Sequence, residues 1–155
     1  MSPATPATRN LDLLGIPYRL FEHDQPPASL EEAARLRGQQ PEQVIRSILF
    51  KYHGQDFFLA LMAGPGQVSW RKLRQHLGAS RLSLASEKEV LAITGYAVGA
   101  VSPLGLPQPL HILADASVFQ PEQISLGSGV RGVAIMMRAS DLQRALANME
   151  IGEFA

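Results

Sequence analysis

Arg46 is the residue whose type departs most from its surroundings. Residues 44–52 are predicted to form a strand, and alternation along it places on one face Val44, Arg46, Ile48, Phe50 and Tyr52. The other four side chains favour burial, whereas a guanidinium needs water, a partner or a ligand. Two interpretations stay open. Arg46 either lies near the strand end and extends to water, or it clamps an anion or a carbonyl at the mouth of a pocket.

Two glycine-rich segments could bring backbone N–H groups to a ligand. Residues 95–105 read GYAVGAVSPLG, and residues 127–132 read GSGVRG. Glycine lets a ligand approach the backbone, and a rigid loop can direct N–H groups at an oxyanion, although such segments are also ordinary turns. Ser128 lies in no G-x-S-x-G elbow, and no histidine is obviously placed as its base. We therefore interpret it as a hydrogen-bonding residue rather than a nucleophile.

The sequence gives no support for a metal or a cofactor. Cysteine is absent, which excludes disulfides, thiolate metal sites and a cysteine nucleophile. The four histidines form no H-x-H or H-E-x-x-H pair: His23, His53, His76 and His111. His23 and His111 fall near predicted strand ends and could face a cleft. We therefore expect no metal.

The charge balance restricts how this chain could contact nucleic acid. Fourteen basic residues match fourteen acidic ones, so no global field attracts the protein to RNA and any contact must come from a local patch. The densest basic stretch contains Arg71, Lys72 and Arg74 on a predicted helix. Such a stretch is usually a solvated helix face, and in an RNA-binding protein it is the first candidate for phosphate contacts.

The hydrophobic fraction of 46% and the charged fraction of 18% are typical of a globular protein. Helices are predicted over residues 7–14, 29–38 and 69–78, with further helices that begin at Ser86 and Ser140. Strands are predicted over residues 17–22, 44–52, 57–62, 110–114, 123–126 and 133–137. This order has no regular βαβ rhythm, so we expect one α+β domain over 1–155, with helices around a mixed, barrel-like sheet. An apolar h-region and an apolar run of about 18 residues are both absent, which predicts a cytoplasmic protein.

Taken together, these segments resemble the YbaK/prolyl-tRNA-synthetase-associated family of aminoacyl-tRNA editing domains. The most specific stretch is 95–105, which is similar to the family's GYxVGGxSPLG-like loop. Further similarity lies at residues 21–24, 41–47, 77–79, 115–116 and 128–132. The resemblance implies a compact α+β fold that deacylates mischarged tRNA in trans, with Cys- or Ala-tRNA(Pro) as substrate and no cofactor. It implies as partners the aminoacylated 3′ end of tRNA and prolyl-tRNA synthetase, and we expect a monomer that binds neither membrane nor DNA.

The resemblance also implies roles for individual residues. Implied as catalytic are Arg46, Gly99 and Ser128, the loop from Gly99 to Pro103 holding the ester carbonyl with backbone donors. Implied as substrate-binding are His23, Ala100, Ser102, Pro103 and Gly129. Weak tRNA contacts are implied for Arg71, Lys72 and Arg74.

Three departures from the family pattern leave an alternative function open. The family usually has lysine at the position of Arg46, and arginine cannot replace a lysine that shuttles protons. The usual Gly-Gly of the loop is Gly99-Ala100, and a carboxylate found in some members is replaced near Ala134. The alternative is a non-catalytic module that binds aminoacyl-tRNA ends, amino acids or a synthetase.

Overall fold

The computed structural model describes residues 4–155. Within them the α-helices are α1 Pro6–Leu14, α2 Leu30–Arg37, α3 Trp70–Leu77, α4 Glu87–Thr94 and α5 Ala139–Ala145. The strands are β1 Arg19–Glu22, β2 Ile45–Tyr52, β3 Asp56–Ala63, β4 Leu82–Leu84, β5 His111–Asp115, β6 Gln123–Gly127, β7 Val133–Arg138 and β8 Met149–Gly152. Short 3-10 helices cover Pro41–Gln43 and Ala116–Phe119.

The strands form two open sheets. A five-stranded sheet has the order β4-β2-β3-β5-β8, with β3, β5 and β8 parallel and the β2 pairings antiparallel. A three-stranded antiparallel sheet has the order β1-β7-β6. A single bridge between Val44 and Ser125 connects them. The predicted α+β class is confirmed, but the barrel-like sheet is wrong, because the pairing at this bridge does not continue into a ladder that closes the sheet.

Each face of the five-stranded sheet has its own hydrophobic core. Ile45 and Leu49 of β2 belong to the larger core, which also contains side chains of α1, α4, α5, β6 and β7. Phe50 of β2 and Phe58 of β3 belong to the smaller core, which Leu73 of α3 completes. The alternation of side chains along β2 therefore separates a face toward the three-stranded sheet from a face toward α3.

Local capping residues explain why the helices begin and end where predicted. The Ser29 hydroxyl accepts a hydrogen bond from the Glu32 N–H, and α2 ends at Gly38 in the left-handed conformation. Ser86 and Glu89 form a complete capping box at α4. Ser69 caps α3, and of the apolar residues Trp70, Leu73 and Leu77 in this helix only Leu73 is fully buried. Strands β4 and β8 were not predicted from the sequence.

The start of α1 lies against both glycine-rich segments. The Thr5 side chain caps the helix and donates a 2.6 Å hydrogen bond to the Ser128 carbonyl oxygen. A Cβ atom added to Gly105 would lie 2.3 Å from the Pro6 backbone, so only glycine fits there. None of the helices in residues 4–155 is both long and apolar enough to cross a bilayer.

Candidate functional site

A cavity of about 480 Å³ lies between the two sheets. Its walls come from one end of β2, from β6 and β7, and from α4 and both glycine-rich segments. Pro26 and Pro27 border it from the loop before α2, and Leu84 and Val98 are exposed lining residues. This volume is in the range of sites that bind small molecules or the end of a larger ligand.

Three arginines are the charged residues of the cavity wall. The lining residues, all within 4–155, include Arg37, Arg46 and Arg131 but no aspartate, glutamate, lysine or histidine. The cavity therefore favours an anion or a developing negative charge and disfavours a cation. The wall also contains no carboxylate or imidazole that could act as a general base.

Arg37, the last residue of α2, is held by neutral partners. Its Nε donates to His23 Nε2 at 3.0 Å, and its Nη1 donates to the Ser125 hydroxyl at 2.9 Å. That hydroxyl in turn donates to Gln39 Oε1 at 2.6 Å. Burial lowers the pKa of Arg37 from its usual range, although a guanidinium stays charged at neutral pH. The sequence did not single out Arg37, because a basic residue in the last turn of a helix is commonplace.

His23 lies behind Arg37 rather than in the cavity wall. Because Nε2 accepts a hydrogen bond, the ring is neutral and carries its proton on Nδ1, which is buried without a hydrogen-bond partner. Burial and the neighbouring Arg37 charge lower the pKa of His23, against smaller opposite effects of Glu32 and Asp24. The structure thus places His23 as a support for Arg37, whereas the family resemblance implied a direct substrate contact.

Arg46 borders the cavity and is anchored to a loop. As predicted, it shares its face of β2 with Ile48 and Phe50, which pack into the smaller core or against it. Its Nη2 donates to the carbonyl oxygen of Gly66 in the loop after β3. Its Nε is buried without a partner, and burial lowers its pKa. Its guanidinium is therefore held at the protein and does not simply extend into water.

Ser47 is a lining residue that the sequence analysis missed. It lies on the face of β2 shared by Ile45 and Leu49, toward the three-stranded sheet. Its hydroxyl oxygen is buried and has no hydrogen-bond partner in residues 4–155. A buried hydroxyl of this kind is costly unless something bonds to it, so Ser47 Oγ is available to water or to a molecule in the cavity. Alternation along the strand was the pattern that could have revealed it.

The segment 95–105 presents Gly99 to the cavity. Gly99 has a φ of +92°, and within residues 4–155 its N–H donates no hydrogen bond. A Cβ atom on Gly99 would lie 3.4 Å from Nε of Arg131. The Tyr96 hydroxyl braces the segment by donating to the Leu104 carbonyl at 2.6 Å, and burial raises its pKa to about 12. A rigid loop therefore holds an unpaired N–H at the cavity wall.

The neighbouring residues of this segment lie behind that wall. Ala100, Ser102 and Pro103 are buried and do not line the cavity. The Ala100 N–H bonds to the Ala97 carbonyl at 3.0 Å, and the Ser102 hydroxyl accepts from the Leu104 N–H at 3.2 Å. Their contacts are those of residues that shape the loop, and their implied substrate contacts stay a prediction.

The segment 127–132 supports the cavity wall, but it does not present the Ser128 hydroxyl to the cavity. Ser128 is fully buried, donates to the Val133 carbonyl at 2.7 Å and accepts from the Val130 N–H at 3.2 Å. The hydrogen bonds of Ser128 are therefore made within the protein, and its implied catalytic role stays a prediction. Gly129 donates to the Ala100 carbonyl, which ties the two segments together. The spacing G-x-G-x-x-G also occurs here, but it connects two antiparallel strands and is not a dinucleotide-binding turn.

The basic helix lies away from the cavity. Arg71, Lys72 and Arg74 belong to α3, which packs on the other face of the five-stranded sheet. Lys72 Nζ donates to the Ala155 carbonyl oxygen at 3.0 Å. None of the three lines the cavity that Gly99 borders, although α3 packs on the face of β2 to which Arg46 belongs.

Comparison with known proteins matches residues 24–145 to the aminoacyl-tRNA editing domain family. The chain belongs to this family. A proline–tRNA ligase of Streptococcus pneumoniae (strain Hungary19A-6) is 32% identical over 104 residues, which are 67% of this chain but 17% of the ligase. The matched editing domain includes Arg37, Arg46, Gly99 and Arg131, so the whole charged wall of the cavity lies inside it.

Solved structures show the same fold at low sequence identity. One, described as a candidate trans-editing enzyme for prolyl-tRNA synthetase, has a TM-score of 0.87 and 23% identity and covers 99% of this chain and 98% of its own. Another, described as a hypothetical protein, has a TM-score of 0.87 and 19% identity and covers 97% and 99%. Both chains match this editing domain along nearly its full length.

Proposed function

We propose that this chain is a trans-acting deacylase that hydrolyses the ester of mischarged aminoacyl-tRNA, with Cys- or Ala-tRNA(Pro) as its substrate class. Membership of the editing-domain family over residues 24–145 is the observation that carries the proposal. The cavity adds a chemical reason, because a positively charged wall with an unpaired backbone N–H suits an ester carbonyl that becomes an oxyanion.

The reaction requires little from side chains. The Gly99 N–H donates to the carbonyl oxygen, and Arg46 and Arg131 favour the negative charge that develops there. Water forms a bond to the carbonyl carbon, the ester C–O bond breaks, and the terminal ribose oxygen leaves with a proton taken from that water, either directly or through the neighbouring ribose hydroxyl. Because an aminoacyl ester is already activated, positioning and charge stabilisation replace a catalytic triad.

A non-catalytic binding module is the second candidate. It is favoured by the absence of a general base among the lining residues and by the anchoring of Arg46 to Gly66. Such a module would bind the charged 3′ end, an amino acid or prolyl-tRNA synthetase without turnover.

Release of labelled amino acid from a panel of aminoacyl-tRNAs distinguishes the two. The panel pairs proline, alanine, cysteine, serine and threonine with their own tRNAs and with the proline tRNA, with and without chelator. We expect chelator-resistant release from one or two mismatched pairs. If no aminoacyl-tRNA of the panel releases its amino acid, although the folded protein still binds the tRNA, the deacylase is contradicted and the binding module is supported.

A further inference from the structure

We propose that Arg37 and Arg131 form a phosphate-binding subsite in the cavity, which takes a phosphodiester of the RNA 3′ end. This rests on the proposed function for its choice of RNA, but its physical basis is independent of hydrolysis. Neither Arg37 nor Arg131 is among the catalytic, substrate-binding or tRNA-binding residues that the family resemblance implies.

Arg37 is a half-buried cation with no negative charge close to it in residues 4–155. The side chain is half-buried, and in residues 4–155 no carboxylate lies within ion-pair distance of it. Partial burial without an opposite charge is unfavourable for a guanidinium unless a ligand supplies that charge. Its partners, His23 and Ser125, are neutral, so they fix its orientation and leave its charge uncompensated.

Donors remain available on Arg37 for a ligand. A guanidinium has five N–H groups, and the recorded bonds to His23 and Ser125 occupy one on Nε and one on Nη1. Within residues 4–155, Nη2 makes no hydrogen bond and is not fully buried, so it can donate to a ligand. Two neighbouring guanidinium nitrogens match the oxygens of a phosphate in a bidentate arrangement.

Arg131 supplies the second charge at the exposed side of the cavity. It lines the same cavity, and its Nε lies 3.4 Å from the position that a Cβ on Gly99 would occupy. An anion held by Arg37 and Arg131 would therefore lie in the same cavity as the Gly99 N–H that we assign to the ester carbonyl. A phosphodiester and an ester of one terminal nucleotide satisfy that arrangement together.

The wall also argues against other ligand chemistry. With three arginines and no carboxylate, its side chains attract the anionic part of a ligand, and they offer no counterion to the α-ammonium group that a free amino acid and an aminoacyl ester share. Phosphate is the group that adds negative charge to the terminal nucleotide, and arginine is the side chain best matched to it. Inorganic phosphate shares this chemistry, so the experiment has to separate it from RNA.

Calorimetric titrations with four probes test the subsite: adenosine, adenosine 5′-monophosphate, the trinucleotide CCA and inorganic phosphate. We expect the wild type to bind the monophosphate about tenfold more tightly than adenosine, as one charge-assisted contact predicts. Arg37→Gln and Arg131→Gln should reduce this preference to about twofold or less. Arg35→Gln is the matched control, because Arg35 is an exposed residue of the same helix outside the cavity. A melting curve of each variant checks the fold, and Arg131→Gln, at an exposed position, serves if Arg37→Gln does not fold.

Each outcome decides the proposal. CCA bound more tightly than inorganic phosphate, with the preference lost in the cavity variants only, supports the RNA subsite. Equal affinity for adenosine and its monophosphate, or a preference that survives in both cavity variants, overturns it. Inorganic phosphate bound as tightly as CCA overturns the assignment to RNA. Failure of the wild type to hydrolyse any aminoacyl-tRNA removes the deacylase but not the subsite, because binding is measured without turnover.

Discussion

The positive charges of the cavity and of helix α3 differ in how they are arranged along the sequence. On α3, Arg71, Lys72 and Arg74 are adjacent in the sequence and lie on a helix at the protein surface. In the cavity, Arg37, Arg46 and Arg131 are far apart in the sequence and meet through the fold, with no carboxylate among the lining residues. A dense run of charged residues in a sequence usually lies on a hydrated surface. Cations that the fold brings together without a counterion indicate a ligand-binding site instead.

Removing an arginine from the cavity should have the largest effect. We expect Arg46→Ala to lower kcat/KM for deacylation by about 100-fold, as loss of one group that stabilises an oxyanion does. Arg71→Ala, on α3, should change it by about twofold or less, since an exposed cation is screened by solvent. Single-turnover deacylation measures both, and circular dichroism confirms the fold. Similar losses in the two variants would contradict the distinction between the regions.

The wall of the cavity should also be less tolerant of an added methyl group than the loop before α3. A Cβ atom at Gly127 would lie 1.9 Å from the Val101 carbonyl oxygen, so Gly127→Ala must push the two glycine-rich segments apart. We expect a loss of about 2 kcal/mol in the free energy of unfolding, or roughly 4–8 °C in Tm. Gly66→Ala is the control, because nothing lies within 4 Å of its Cβ position and its φ is not positive. Thermal denaturation of both variants gives the answer.

The salt dependence of RNA binding also distinguishes the cavity from α3. If Arg131 neutralises a phosphate, Arg131→Gln should reduce the slope of log affinity against log salt for CCA by about 0.7. Arg71→Gln should leave the slope unchanged, because α3 is not part of the cavity. Fluorescence anisotropy at several salt concentrations measures both slopes. A reduction in Arg71→Gln alone would move the RNA contact to α3.

The smallest expected effect concerns His23 and pH. Burial and Arg37 lower the pKa of His23 below 6.5, so the unfolded chain binds a proton at a higher pH than the native state does. Stability is therefore complete above about pH 6.5 and declines as pH falls toward the native-state pKa of His23. His23→Gln should show a smaller loss of Tm between about pH 7 and about pH 5 than the wild type. His53→Asn, in the exposed turn after β2, should retain the wild-type difference.

Local interactions explain which parts of this fold were predictable. The helices that begin at Ser29 and Ser86 follow from caps within a few residues, as do their ends at Gly38 and Gly95. Strand β8 escaped prediction because it is four residues long and its partner, β5, lies more than thirty residues earlier in the chain. The closed sheet was wrong for a related reason, since one bridge at Val44 gives no pattern in the sequence.

The sequence indicated candidate site residues only where a residue type is unusual for its strand or where a loop resembles that of a known family. Arg46 stood out on an apolar strand, and Gly99 stood out in a family-like loop. Arg37 did not, because its importance comes from the absence of a carboxylate that only the fold can reveal. For Ser128 the sequence shows a hydroxyl between two glycines, but only the fold shows that this hydroxyl donates to the Val133 carbonyl oxygen.

The contact between Thr5 and Ser128 has a consequence for synthesis on the ribosome. The two residues are 123 positions apart, and Pro6 lies against Gly105. The first turn of α1 cannot reach its final environment until more than a hundred further residues have left the exit tunnel. The cavity segments therefore reach their final packing late in translation.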